Sequence, residues 1–275
     1  AGTWRGEVEL QCGDRCRRMP AELTVYDVTL PKLDDYRIGL MGAGDGTREQ
    51  MLFAKNELGA TTVHLSNGRL NGAKLKRDAS GRIIGCENIG WCTVEDLDRR
   101  FKVYAKVGFP CKAPYCGPQA VGMNKGMLPC GDVQPHSPEW ETALKLVHDA
   151  ILAIARSNGC ETVTVDLGGE IGHDQRLPRP QDVAAVVDYC LTLKRLCPDI
   201  LLTWRCNCID STRSFYGVLD VVGVRGKPSW DYVDDIGEFS ARKPTYVYSQ
   251  SGRFQNGIGG WYHGATGSFR EWNCW

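Results

Sequence analysis

No apolar run in this chain approaches the ~20 residues that a bilayer-spanning helix needs, so no segment of it reads as a helical membrane anchor. Nor is there an excess of either charge. Lys+Arg and Asp+Glu stand at 33 each, and long-range attraction gives no reason to expect nucleic acid or an anionic membrane as partner. A small or neutral ligand is the expectation, with the oligomeric state left open. The opening "AGTWRGEVEL" has neither the basic start nor the apolar core of a signal peptide and reads equally as a mature or excised product. Cysteine is plentiful at thirteen, but no two CxxC pairs face each other as a zinc site would want. Local clusters (Cys12/Cys16, Cys111/Cys116/Cys130, Cys206/Cys208) read as buried thiols or a few disulfides. Neither a metal nor a cofactor is expected. A Gly-rich G-x-G-x-x-G fingerprint is also missing after the first strand, where "GAGDG" is too short, and this weakens an open dinucleotide-binding sheet.

What the chain does have is a recurring unit. A hydrophobic fraction of 42% and a charged fraction of 24% suit a folded globular core. From Tyr36 onward a short β-rich run, a turn and an amphipathic helix ending in glycine alternate, which predicts a parallel sheet. The predicted strands are "YRIGLMG", "TTVHLSN", "PCKAPYCG", "ETVTVDLGG", "DILLTWRCN", "VLDVVGVRG", "PTYVYSQSG" and "SFREWNCW". Helices are predicted after Gly46, from Thr93 to Gly108, from Ser137-Pro138 to Gly159, from Pro180 with Val183, Val187, Cys190 and Leu191 inward, and around 231–241. The stretch "GRLNGAKLKRDASGRIIGCEN" is an inserted hairpin or long loop, and "GPQAVGMNKGMLPCGDVQPHS" is a long loop. Eight such strands predict an α/β fold, a (β/α)8 TIM barrel over residues 32–275, either complete or lacking its last helix. Residues 1–31 alternate like strands and form a β-rich lead-in or the remnant of a preceding domain.

In a (β/α)8 barrel chemistry sits at the C-terminal strand ends, which turns those ends into a candidate list. It contains Ser66 and Asn67; Asp166 and Glu170; Arg205, Asn207 and Asp210; Arg225; Tyr248, Ser249 and Gln250; Arg270, Glu271, Trp272 and Asn273. Trp261, Tyr262 and His263 precede strand eight on a loop able to reach the rim. Such a polar and aromatic set with few lysines suits a saccharide, because aromatic faces stack on sugar rings while Arg, Asn and Gln bond hydroxyls. Arg205, Asn207, Arg225, Tyr248, Gln250, Trp261, Tyr262, Trp272 and His173 are therefore candidate substrate contacts. Trp204, Trp272 and Trp275 read equally as core or barrel-plug residues, Trp204 above all.

Glu170 is the leading carboxylate. Gly168 and Gly169 permit a tight backbone at the strand end, and Gly172 permits close approach of a ligand or another segment. A carboxyl group desolvated there has its pKa raised toward the range of a general acid. Asp166, inside the strand by pattern, either points into the barrel to orient a partner or bonds a neighbouring strand. Strand seven carries no carboxylate, so the second acid of a glycosidase would come from the strand-four loop or from the substrate.

"AELTVYDVTLP" before the barrel, the strand-four carboxylate motif, and "GGWYHGATGSFREWNCW" after the Arg253 loop resemble glycoside hydrolase family 123 and its relatives. The resemblance implies a retaining β-N-acetylgalactosaminidase-like reaction in which the substrate's acetamido oxygen attacks the anomeric carbon. In that family an adjacent Asp-Glu pair ends strand four, the Asp orienting the acetamido group and the Glu serving as general acid/base. Here Asp166-Leu167-Gly168-Gly169-Glu170 stands in place of the pair.

The sequence thus points to a glycoside hydrolase for a neutral or N-acetylated saccharide, with Glu170 as general acid/base and Asp166 assisting, in an extracytoplasmic or secreted setting. Two alternatives stay open. One is a non-catalytic glycan-binding or structural barrel; the other is a glycosidase with Asp210 or Glu271 as nucleophile.

Overall fold

The computed structural model describes residues 2–25, 36–42, 47–122, 126–168, 180–206, 209–225, 232–248 and 260–271. The chain divides into two units, Ala1–Asp34 and Asp35–Trp275. In the first, β1 (Gly2–Cys12) and β2 (Arg15–Val25) pair antiparallel around Gly13, whose φ of 58° suits glycine. The register sets Trp4 opposite Leu23 and Val8 opposite Met19 on one face. On the other face Arg5 pairs with Glu22 at 2.8 Å and Arg18 with Glu9 at 3.0 Å.

The second unit starts with β3 (Arg37–Met41) and α1 (Arg48–Asn56). Thr47 and Gln50 close a reciprocal capping box on α1. Next come β4 (Thr62–Val63) and β5 (Leu65–Arg69), then an insertion in which β6 (Lys74–Arg77), β7 (Ile83–Ile89) and β8 (Cys92–Thr93) form a small antiparallel sheet. The predicted hairpin is present, but its turn is Asp78–Arg82, where the Asp78 carboxylate accepts the N–H groups of Ser80 and Arg82. The Asn71-Gly72 pair belongs instead to a 3₁₀ turn over Leu70–Gly72.

After α2 (Val94–Val107) follow β9 (Tyr115–Gln119), a two-residue pair β10 (Val121–Gly122) and β11 (Gly126–Met127), and α3 (Trp140–Ser157). Strand β9 lies several residues later than "PCKAPYCG" predicts and runs through Gly117-Pro118. The reason is tertiary: pairing with β5 and with the following strand, β12 (Thr164–Asp166), holds this Gly-Pro segment extended. The chain continues through α4 (Pro180–Leu196), β13 (Leu201–Cys206), α5 (Ile209–Phe215), β14 (Val221–Arg225), α6 (Tyr232–Ser240), β15 (Thr245–Tyr248), α7 (Gly260–Tyr262) and β16 (Gly267–Glu271). On α4 the inward face is Val186, Tyr189, Cys190 and Leu193; Leu191 is exposed, one step off the predicted stripe.

All pairings of the main sheet are parallel, in the order β4-β3-β16-β15-β14-β13-β12-β9-β5. Only His64 separates β4 from β5, so residues 62–69 make one strand position that pairs with β3 on one side and β9 on the other. The sheet therefore curls into eight positions, a (β/α)8 barrel. Its interior is filled by the rings of Tyr115, Tyr246 and Phe269, with centroids 4.3 to 5.7 Å apart. Glycine in the strands makes room for them. A Cβ at Gly39 would lie 2.3 Å from the Phe269 ring, and one at Gly223 would lie 2.6 Å from the Tyr246 hydroxyl. Outside, Trp204 packs on Phe215 at 4.4 Å, as a structural residue should. Ten cysteines, among them Cys86, Cys116, Cys160 and Cys197, are free thiols, and burial pushes Cys130 and Cys190 up to about 12.

Candidate active site

Asp166 ends β12 and is buried. A carboxylate removed from water needs compensation, and the chain supplies part of it locally: the Gly168 N–H donates to Asp166 Oδ1 at 3.0 Å. Gly168 is confined to this role twice over. Its φ of +64° favours glycine, and a Cβ there would sit 2.1 Å from Gln119 Cγ. Between them Leu167 ties the strand end to both neighbours, accepting the N–H groups of Ala120 and Val121 at 2.9 and 3.1 Å and donating to Thr203 O, within β13, at 3.0 Å. The strand-ending D-L-G is thus a rigid turn that fixes the Asp166 carboxyl.

The second oxygen, Oδ2, lies 3.7 Å from His64 Nε2, and both side chains are buried. His64 occupies the break between β4 and β5 and donates its backbone N–H to Leu40 O at 3.0 Å. Residue-by-residue reading of strand ends selected Ser66 and Asn67 and passed over His64; the alternation that puts Thr62 and His64 on one side of the strand is the signal that finds it. Below this pair lies the aromatic filling, in which burial drives the Tyr115 phenol pKa upward; the Arg37 charge opposes that rise, and the Asp166 charge adds to it. Tyr115 therefore remains a protonated hydroxyl. Tyr248, the last residue of β15, is buried in the same aromatic cluster.

Arg225 is aligned with Tyr248 in the β14–β15 register, and Arg205 with Gly223 across β13–β14, so both backbones stand at C-terminal strand ends. Trp261 and Tyr262 lie in α7, which leads into the N-terminal end of β16 and is tied to the end of α6 by a hydrogen bond from Ser240 Oγ to His263 O. Both side chains are exposed. Glu170, His173, Asn207, Gln250 and Trp272 lie outside the described residues. Among the described residues no group of three or more His, Cys, Asp or Glu is placed to hold a metal ion. At the opposite, N-terminal end of the barrel a cavity of about 330 Å³ is lined by Arg37, Thr164, Tyr115 and Phe269 among others.

No family model matches the chain, and no curated protein matches it. Among solved structures it is similar to a sugar phosphate isomerase/epimerase from Parabacteroides distasonis, at 11% identity and a TM-score of 0.50, covering 91% of each chain. It is also similar to a β-D-glucuronidase from Dictyoglomus thermophilum at 11% identity, with a TM-score of 0.47 over 98% of this chain. A psychrophilic family 10 endo-β-1,4-xylanase matches at 10% identity and a TM-score of 0.45, covering 87% of this chain and 86% of the other. This chain spans 50% of the length of the glucuronidase. The isomerase/epimerase likeness agrees with the barrel fold.

Proposed function

We propose that the protein is a retaining glycoside hydrolase acting on neutral or N-acetylated saccharides, with Glu170 as general acid/base and Asp166 as its assisting carboxylate. The observation that carries this reading is the buried Asp166 carboxyl, fixed by the Gly168 N–H at the C-terminal end of β12, four residues before Glu170. Barrel residues at that end serve chemistry, whereas a buried carboxylate weakens a structure unless it is compensated.

On an N-acetylated substrate the acetamido carbonyl oxygen attacks the anomeric carbon while Glu170 gives its proton to the departing glycosidic oxygen. Water, deprotonated by the resulting Glu170 carboxylate, then adds at the anomeric carbon and restores the acetamide. Asp166 orients the acetamido N–H and disperses the positive charge that builds on it. The aromatic filling excludes water beneath the sugar and strengthens these contacts.

Glu170→Gln is expected to abolish release of nitrophenol from a panel of p-nitrophenyl glycosides and N-acetylglycosaminides while sugar binding persists. Unchanged turnover in that variant overturns the assignment. Asp166→Asn is expected to lower turnover more on the N-acetylated members of the panel than on the others.

A further inference from the structure

We propose that Trp91 is a saccharide-stacking platform at the C-terminal rim of the barrel, holding one pyranose ring outside the reacting centre. This rests on the saccharide reading above. The residue belongs to Ile89-Gly90-Trp91-Cys92, in which Ile89 pairs with Cys92 and Gly90 has a φ of 63°. Packing sets the direction of its side chain. The indole lies against the backbone of two glycines: a Cβ at Gly68 would be 2.5 Å from Trp91 Cδ2, and one at Gly72 would be 2.3 Å from Cδ1. The Arg69 guanidinium stands 5.9 Å from the ring centroid.

This seating fixes the ring without burying it, since Trp91 remains 68% exposed. A lone exposed indole forgoes the burial free energy that tryptophan ordinarily gains, and it belongs to none of the hydrophobic clusters formed by the described residues. One ring falls far short of the ~800 Å² per partner that a protein interface requires. A flat, pre-oriented and exposed indole with a guanidinium over its ring instead matches a sugar: C–H groups stack on the indole, and the hydroxyls meet the arginine donors. The balanced charge of the chain supplies no pull for a nucleic acid.

Its place in the fold links it to the candidate site. Gly68 and Arg69 end β5, and Arg69 is aligned with Gln119 at the end of β9. Gln119 packs on Gly168, which bonds Asp166. The platform and the carboxyl thus stand on three successive strand positions at the same end of the barrel.

The test uses the full chain carrying Glu170→Gln, so that no probe is consumed, and isothermal titration with xylohexaose, cellohexaose, mannohexaose and chitohexaose at millimolar concentration. Trp91→Ala is expected to weaken the hexaose that binds by about tenfold and its methyl monosaccharide by less than about twofold. Trp91→Phe is expected to retain most of the affinity. Gly72→Ala, which keeps the indole but unseats it, is expected to lose affinity as Trp91→Ala does. Parental hexaose affinity in Trp91→Ala, or binding of none of the four hexaoses, overturns the platform. Failure of the hydrolase reading is separate: it shows as unchanged turnover in Glu170→Gln, whereas the platform stands or falls on affinity alone.

Discussion

Two histidines lie buried in two compartments of the same barrel. His148 sits on α3, in the layer between helices and strands, with its Nδ1 2.8 Å from Leu144 O. Its Nε2 has no hydrogen-bond partner among the described residues. Burial holds the ring neutral by pushing its pKa from 6.5 down to about 4. His64 sits on the strand position between β4 and β5, 3.7 Å from a buried carboxylate oxygen. One imidazole is a packing residue whose local backbone satisfies a single nitrogen. The other faces a buried carboxyl group at the C-terminal end of the strands. Burial alone does not separate them; the neighbour does.

Replacing each with leucine should break this contrast open. His64→Leu removes the polar ring that faces a buried carboxyl group and is expected to cost about 3 kcal/mol at pH 7, read from urea denaturation. His64 would have to be reclassified as packing if that loss did not exceed the one seen for His148→Leu.

The next effect is on pH dependence. His148 is neutral in the native protein, while in the unfolded chain it binds a proton below about 6.5. Its contribution is therefore complete above that pH and is lost as pH falls toward 4, by roughly 3 kcal/mol in all. Denaturation midpoints of wild type between pH 7 and 4 should fall more steeply than those of His148→Leu; parallel curves would show that the histidine is not the titrating group.

Gly168→Ala sharpens the other side of the comparison. Its positive φ and the contact with Gln119 predict a loss of about 2 kcal/mol together with reduced turnover, since the Asp166 carboxyl loses its rigid turn. Thermal melting and activity measured on one preparation check both halves, and an unperturbed variant would mean that the turn does not hold the carboxyl. The smallest effect belongs to His148→Leu itself, a change of about 1 kcal/mol or less at pH 7. A larger loss in urea would reveal a polar role for the ring.

Much of the barrel was legible because its signals are local. Thr47 and Thr93 cap helices; Gly108 ends the second in left-handed conformation, with Leu97, Phe101 and Tyr104 lining its buried face, whereas the first ends at Asn56 with Glu57 as its cap, before the expected Gly59. Where the signal was not local, reading failed. Gly117-Pro118 reads as loop, yet flanking strands hold it in β9. On α4 the apolar residues around the helix allow more than one inward face, and packing chose Tyr189 and Leu193 over Leu191. Nothing local distinguishes Trp91, because the glycines that seat it, Gly68 and Gly72, stand 23 and 19 positions earlier.

For the candidate site the division is the same. The sequence by itself determined the strand-helix alternation, the glycines after Asp166 and the balanced charge, since each follows from neighbouring residues or from sums over the chain. Only the closed barrel decided that Asp166 meets His64, that aromatic rings fill the interior below them, and that one tryptophan of eight is laid flat at the rim. The physical reason is reach. A repeat of two or 3.6 residues fixes which face a side chain takes, but which strand stands opposite, and in what register, is set by closing the sheet on itself.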